Sequence, residues 1–379
     1  MAGELTPTQA AILADSAYAV QRSPGNAGVA AAAEVNAVDP ALREAFDIVN
    51  ATVFNGLTGA SAQSNFGFVA HGTGTRQGET LVSVRGTVTG ADWLTNGNCA
   101  WDSGPSGSPV HQGFNQLTKS ILPQIKSALQ GRNPTTMHFV GHSLGGATAT
   151  LLADAVGRAG GAKLYTFGAP RTGLGGHTGQ ITAKLGQSNI FRVYHDTDPV
   201  PMIPVFPFSH APAPGLAHLM KGSGAIIWPG AHSMEGYIRN VSGATWRSLP
   251  RIPHRRFSLD TVDDVLKQAG QLPGGYLDAL LMRLLVKALG LLLRAAGIIV
   301  ANGVQEGITI LDQIVVATQH AWRAASDTVE TLVRQIMRFL GIVKDVGREI
   351  TAQFLRWLLN KLFAVIATLA ANAINRFVR

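Results

Sequence analysis

Ser143 stands in the run Gly141-His142-Ser143-Leu144-Gly145-Gly146, a setting that suits an enzyme nucleophile. A serine hydroxyl attacks a carbonyl carbon only when an imidazole takes its proton and a carboxylate orients that imidazole. In hydrolases that carry the serine on a strand-to-helix elbow, the chain order is serine, acid, histidine. Downstream of Ser143 the chain offers His195-Asp196-Thr197-Asp198-Pro199-Val200-Pro201, then His210, His218 and His232. Spacing alone leaves Asp196 and Asp198 open as the acid, and His218 and His232 open as the base. His195 lies too close to the acid and reads as a solvated loop residue.

The elements that must position these groups follow from the flanking sequence. Met137-His138-Phe139-Val140 reads as a short buried strand, and Ala147 to Val156 as a helix. A strand turning sharply into a helix lifts the serine hydroxyl into a cleft, and glycines flank it because backbones pass where a Cβ would collide. The amide of Leu144, at the start of the helix, can then donate to a developing oxyanion. Residues 80–85, 163–167 and 190–194 read as further strands, and Phe114 to Leu129 as a helix with a kink at Pro123. Strands separated by helices imply a mostly parallel, doubly wound α/β sheet with its site at the carboxyl ends of the strands. Thr6, Pro7 and Gln9 form a capping-box pattern that opens a helix through Ala10–Val20.

After Trp246 the pattern changes. Pro250, Pro253, Arg255-Arg256, Pro273 and Gly274-Gly275 mark a basic connector over 251–276, and no proline occurs beyond Tyr276. Residues 277–379 are apolar with helical spacing; Ile350, Phe354, Trp357/Leu358, Val365 and Leu369 fall on one face. This region holds twelve Lys/Arg against seven Asp/Glu, an excess of +5 within a chain of formal charge +8. Basic patches interleaved with aromatics are missing, which argues against nucleic acid; scattered cations among apolar helices fit an anionic membrane surface better. The longest uncharged runs, Ala295–Gln305 and Leu362–Asn375, are shorter than the roughly 18–20 residues of a transmembrane span. Two readings compete: a helical bundle burying its own core, and a cap that faces membrane or substrate. The single cysteine, Cys99, excludes an internal disulfide framework. The first residues lack a basic segment followed by an apolar core, so no signal peptide is expected, and export would need another route.

Several motifs, in order, resemble the class 3 lipases, the group that includes the filamentous-fungal triacylglycerol lipases. Leu81-Val82-Ser83-Val84-Arg85-Gly86-Thr87 matches the family strand ending in R-G-T/S, with Asp92-Trp93 downstream. Val110-His111-Gln112-Gly113-Phe114 matches V-H-x-G-F, and Thr166 to Arg171 matches T-F-G-x-P-R. Asp198-Pro199-Val200-Pro201 matches the acid-bearing D-x-V-P. The family sets a non-catalytic histidine before a tryptophan, as His218 and Trp228 stand here, and then the catalytic histidine with a tyrosine beyond, as in Ala231-His232-Ser233-Met234-Glu235-Gly236-Tyr237. The family often has Asp where Ala231 stands. The resemblance covers roughly Ala10 to Leu249.

It implies an α/β-hydrolase domain over residues 1–250, with Ser143 as nucleophile, Asp198 as acid and His232 as base. Thr87 and Leu144 would supply the oxyanion hole. No metal or organic cofactor is implied. The expected activity is hydrolysis of carboxylic esters of lipids, as a triacylglycerol lipase or a phospholipase. A soluble carboxylesterase with the same triad and a membrane-active, toxin-like phospholipase are the alternatives. The family lid after R-G-T corresponds to Val88–Asn98, which is small and polar, so the helices after Tyr276 are expected to contribute lipid contact.

Overall fold

The computed structural model describes residues 3–58, 62–86, 100–205, 207–213, 216–222, 227–252, 259–272, 278–295, 310–324, 326–343 and 350–377. Thr87, the lid candidate Val88–Asn98 and Cys99 lie outside them. At the N-terminus the capping box forms as expected. Gln9 N–H donates to Thr6 Oγ1 at 3.2 Å, and Thr6 N–H donates to Gln9 Oε1 at 3.1 Å. The helix it opens, Pro7–Ser16 (α1), stops short of Val20, and a separate turn follows at Ala19–Arg22. Ala27–Val38 (α2) completes this N-terminal layer.

An eight-stranded sheet forms the centre. Thr52–Thr58 (β1), Ala62–His71 (β2) and Glu79–Val84 (β3) pair antiparallel. A small hairpin, Trp101–Ser103 (β4) with Pro109–His111 (β5), leads into Gln112–Leu129 (α3), which carries Pro123 inside it. The chain then re-enters the sheet beside β3 as Thr136–His142 (β6). Leu144–Val156 (α4), Ala162–Phe167 (β7), Gly175–Leu185 (α5) and Ile190–His195 (β8) follow, and Ala217–Met220 (β9) extends the run. The strands β3, β6, β7, β8 and β9 are mutually parallel, while Arg251–Ile252 (β10) closes the edge antiparallel to β9. Parallel pairing in register brings Val84 opposite Gly141 and His142 opposite Phe167. The carboxyl ends of β3, β6 and β8 therefore sit together, ahead of Arg85-Gly86, Ser143 and Asp198.

Apolar layers cover both faces, as the alternation along the strands requires. Val82, Val84, Met137 and Phe139 join the layer built by α3, α4 and α5. Leu81, Val140, Tyr165 and Val193 join the opposite layer, built by α1, α2 and Met234–Val241 (α6). Burying one such side chain contributes about 1.5–3 kcal/mol.

The C-terminal region is helical: Leu259–Gln271 (α7), Ala279–Ala295 (α8), Ile310–Ala324 (α9), Ser326–Phe339 (α10) and Ala352–Phe377 (α11). Helix α7 falls inside the stretch 251–276 that the sequence suggested as a connector, because Val262, Val265, Leu266 and Ala269 give it an apolar face to bury. The bundle's core, with Leu285, Leu289, Ile314, Leu332, Ile336 and Leu362, is continuous with the layer built by α3, α4 and α5 through Val200, Met202, Ile203 and Ile227. Helix α11 packs on the turns Val200–Met202 and Pro229–His232.

Two expectations for this region need correction. The buried stripe of α11 runs through Leu355, Leu358/Leu359, Leu362, Ile366, Ala370 and Ala373/Ile374. The expected stripe shares Leu358 with it, but Phe354, Val365 and Leu369 lie at its margin and Trp357 is 41% exposed. Apolar residues surround much of this helix, so its neighbours and not its periodicity choose the buried face. By length and composition, residues 352–376 could also cross a membrane, contrary to the expectation from uncharged runs, since isolated cations interrupt them. Half of its most apolar window is buried against the rest of the protein.

Candidate active site

The turn between β6 and α4 forces Ser143 to φ 57° and ψ −134°. It is the one non-glycine residue with positive φ among the described residues, a conformation costing about 1–3 kcal/mol that its surroundings must hold in place. A Cβ on Gly141 would lie 2.4 Å from Gly145 O, and one on Gly145 would lie 2.2 Å from Val84 O. Both glycines are thus required by close backbone approach. Ser143 N–H donates to Phe167 O at 2.9 Å, fixing the elbow to β7. Leu144 is the first residue of α4, so its amide is among those a helix leaves without an intrahelical acceptor.

Asp198 lies just beyond β8 and is fully buried. Its Oδ2 accepts from His232 Nδ1 at 2.8 Å and from Tyr237 Oη at 2.6 Å; its Oδ1 accepts from Val200 N–H at 2.9 Å. Three donors satisfy the carboxylate without a cation. The bond to Asp198 places the proton of neutral His232 on Nδ1, leaving Nε2 as a base. His232 Nε2 and Ser143 Oγ are both buried, and neither has a hydrogen-bond partner among the described residues. Above them, Gly168 has φ 57°, and a Cβ there would lie 2.8 Å from Asp198 Oδ2 and 3.0 Å from His232 Nδ1. Burial and the adjacent Asp198 carboxylate push the Tyr237 hydroxyl well above its ordinary pKa, so it stays a donor.

The competing residues have other partners. Asp196 Oδ1 accepts from Gly222 N–H at 2.7 Å and pins the chain where it leaves β9. His218 sits in β9 with its ring 5.4 Å from Trp246; burial first, then Arg251, lowers its pKa to about 4. His210 Nε2 lies 2.8 Å from Pro201 O, and burial holds its pKa well down. His195 departs from the expected solvated loop residue: it is buried and stacks on Tyr237 at 4.0 Å and 9°.

Sequence reasoning also missed Tyr18, Arg85 and His142. Tyr18 Oη lies 2.7 Å from His142 Nδ1 and accepts from Gly86 N–H at 3.1 Å. Arg85 donates to Gly86 O at 2.6 Å, to Asn65 O at 2.6 Å and to Ser64 Oγ at 2.7 Å, with burial lowering its pKa to about 10. Both polar groups of the Gly86 peptide are thereby held, immediately ahead of Thr87. Only the place of Arg85 and His142 inside the motifs could have signalled them; Tyr18 arrives from a distant part of the chain. Among the described residues, no three His, Cys, Asp or Glu side chains converge to hold a metal ion.

Residues 81–208 match the family model described as Lipase (class 3). Over this segment the chain is similar to the class 3 lipases. The segment includes Ser143 and Asp198, while His232 lies beyond it. A secreted mono- and diacylglycerol lipase 1 of Fusarium solani is 38% identical over 141 residues, spanning 35% of this chain and 42% of that protein. A secreted mono- and diacylglycerol lipase A of Penicillium cyclopium is 39% identical over 87 residues, spanning 22% of this chain and 28% of that protein. The chain thus spans less than half the length of these curated relatives. Among solved structures, mono- and diacylglycerol lipase from Aspergillus oryzae aligns with a TM-score of 0.48 at 21% identity, covering 66% of this chain and 87% of that one.

Proposed function

We propose that the protein is a serine hydrolase that cleaves carboxylic esters of lipids through an acyl-enzyme on Ser143. The observation that carries this reading is the buried Asp198–His232 pair, whose free Nε2 is matched by an equally unpaired hydroxyl on a strained elbow. His232 Nε2 takes the Ser143 proton as Oγ attacks the ester carbonyl, and Asp198 stabilises the imidazolium. The Leu144 amide and, by family resemblance, Thr87 bind the oxyanion, each donor contributing about 3 kcal/mol. The imidazolium then protonates the departing alkoxide. Water, deprotonated by His232, attacks the acyl carbonyl and releases a fatty acid and free Ser143.

The mono- and diacylglycerol lipases among the relatives favour partial acylglycerols as substrates and action outside the cell. In this reading residues 1–250 form the hydrolase, 251–276 lead out of it and 277–379 cover its catalytic turns. The outer face of α11 supplies a lipid-surface contact: Lys361 Nζ lies 5.4 Å from the Trp357 ring centroid, and the Arg376 guanidinium 5.0 Å from that of Trp228. Paired aromatic rings and cations suit the headgroup layer of an anionic surface.

Turnover of a diacylglycerol emulsion, phosphatidylglycerol vesicles and a water-soluble butyrate ester tests the reading. The diacylglycerol should be cleaved fastest, and Ser143→Ala should be inactive on all three. Turnover of the soluble ester alone would reassign the protein as a carboxylesterase.

A further inference from the structure

The turn that carries His232 is held by two other histidines, one from each of the other triad-bearing loops. His142, which precedes Ser143, has Nε2 2.8 Å from the carbonyl oxygen of His232. His195, at the end of β8 and three positions before Asp198, has Nδ1 2.5 Å from the carbonyl oxygen of Ala231. Both rings are buried. The two carbonyls are consecutive, so the peptide entering His232 and the one leaving it are each fixed by a side chain.

Their tautomers follow from the partners. Asn240 Nδ2 lies 2.9 Å from His195 Nε2 and 3.2 Å from Lys221 O. An amide nitrogen only donates, so His195 Nε2 accepts and Nδ1 carries the proton given to Ala231 O. At His142, Nε2 must donate to the His232 carbonyl. Its Nδ1 then accepts from Tyr18 Oη, whose oxygen in turn accepts from Gly86 N–H.

We propose that His142 and His195 are positioning residues that act as an uncharged double clamp on the backbone of the catalytic base. A lysine or arginine could donate to the same carbonyls, but it would set a permanent charge against the imidazolium that His232 becomes during the reaction. The His142 ring centroid is 4.5 Å from that of His232, close enough for such a charge to oppose the proton transfer. Protonating either clamp would also cost it a hydrogen bond. A second N–H on His195 would face the Asn240 amide, and one on His142 would leave the Tyr18 hydroxyl hydrogen without its acceptor. Desolvation agrees, lowering the pKa of both rings and that of His142 the more strongly.

The inference rests on the serine-hydrolase reading, and isosteric pairs in the full chain separate the two. His142→Gln keeps a terminal donor where His142→Met has none, and His195→Asn keeps one where His195→Leu has none. On a soluble butyrate ester, each donor-lacking variant should lose roughly ten- to a hundredfold in kcat with little change in KM. The donor-keeping variant should recover most of it, at matched thermal stability. The His142→Gln variant should keep the wild-type pH profile as pH falls toward 5, because the buried ring it replaces stays uncharged over that range. Equal kcat within a pair at equal stability would overturn the clamp. So would a His142→Gln variant that keeps more of its activity than wild type on acidification toward pH 5, which would show the His142 ring taking up charge and remains measurable even where His142→Met fails to fold. Wild type that neither turns over the ester nor reacts with an alkyl phosphonate at Ser143 would instead overturn the serine-hydrolase reading.

Discussion

The elbow between β6 and α4 and the outer helix α11 are both built from short-range sequence choices, yet they tolerate change very differently. At the elbow, backbone passes backbone with no room for a Cβ, and one serine occupies a conformation that L-residues rarely adopt. Along α11, Leu, Ile, Val, Phe and Ala occur on most sides, and the buried stripe is the one its neighbours happen to cover. Geometry admits almost no alternative at the first site and several at the second. On the proposed reading, the difference is why chemistry would reside on the first and why the second would have an apolar face left to offer a lipid surface.

Gly145→Ala should have the largest effect among changes that probe this contrast. Its Cβ would lie 2.2 Å from Val84 O, and a backbone atom cannot give way as a side chain can. We expect the soluble, folded fraction to collapse; a stable variant with wild-type activity would show the elbow to be loose. Leu362→Ala in α11 should cost about 2–5 kcal/mol in chemical denaturation while leaving the Ser143 elbow intact. A cost near zero would mean that the packing of α11 does not stabilise the protein.

A third expectation concerns pH. His138, His142, His195 and His218 are buried with pKa values below their ordinary 6.5, chiefly through desolvation. Each takes up a proton on unfolding once the pH drops below that value, so stability falls on acidification. The slope is up to about 1.4 kcal/mol per pH unit for each histidine. The midpoint of thermal unfolding should drop steadily from pH 7 to pH 5; a flat profile would contradict burial of these rings in neutral form.

The smallest effect is expected at Trp357→Ser, which should change stability by less than about 0.5 kcal/mol because the ring is 41% exposed. It should nonetheless reduce flotation of the protein with anionic vesicles, more at high salt than at low salt, since the remaining attraction is then screened. Unchanged flotation would remove the outer face of α11 from any lipid contact.

These regions were also unequally legible in the sequence. The strand, glycines and helix around Ser143 could be read locally because each answers a requirement within a few residues. The Thr6–Gln9 capping box was readable for the same reason. The acid and base were legible only as pairs of candidates until family resemblance separated Asp198 from Asp196 and His232 from His218. What separates them physically is tertiary: Asp198 meets His232 and Tyr237, whereas Asp196 holds Gly222. Tyr18 and His142 escaped notice, and His195 read as a solvated loop residue, because their roles depend on partners up to 124 positions away in sequence. The stripe of α11 was misplaced because periodicity cannot choose between two apolar faces.

Covalent labelling tests the central claim most directly. An alkyl p-nitrophenyl phosphonate should transfer its phosphonyl group to Ser143 Oγ with release of nitrophenolate. Mass spectrometry should find one added group, on the peptide containing Ser143. Ser143→Ala should abolish the label, and His232→Ala should slow it by at least about a hundredfold. Ester turnover that persists with Ser143 unmodified, or labelling that proceeds at full rate without His232, would contradict the account.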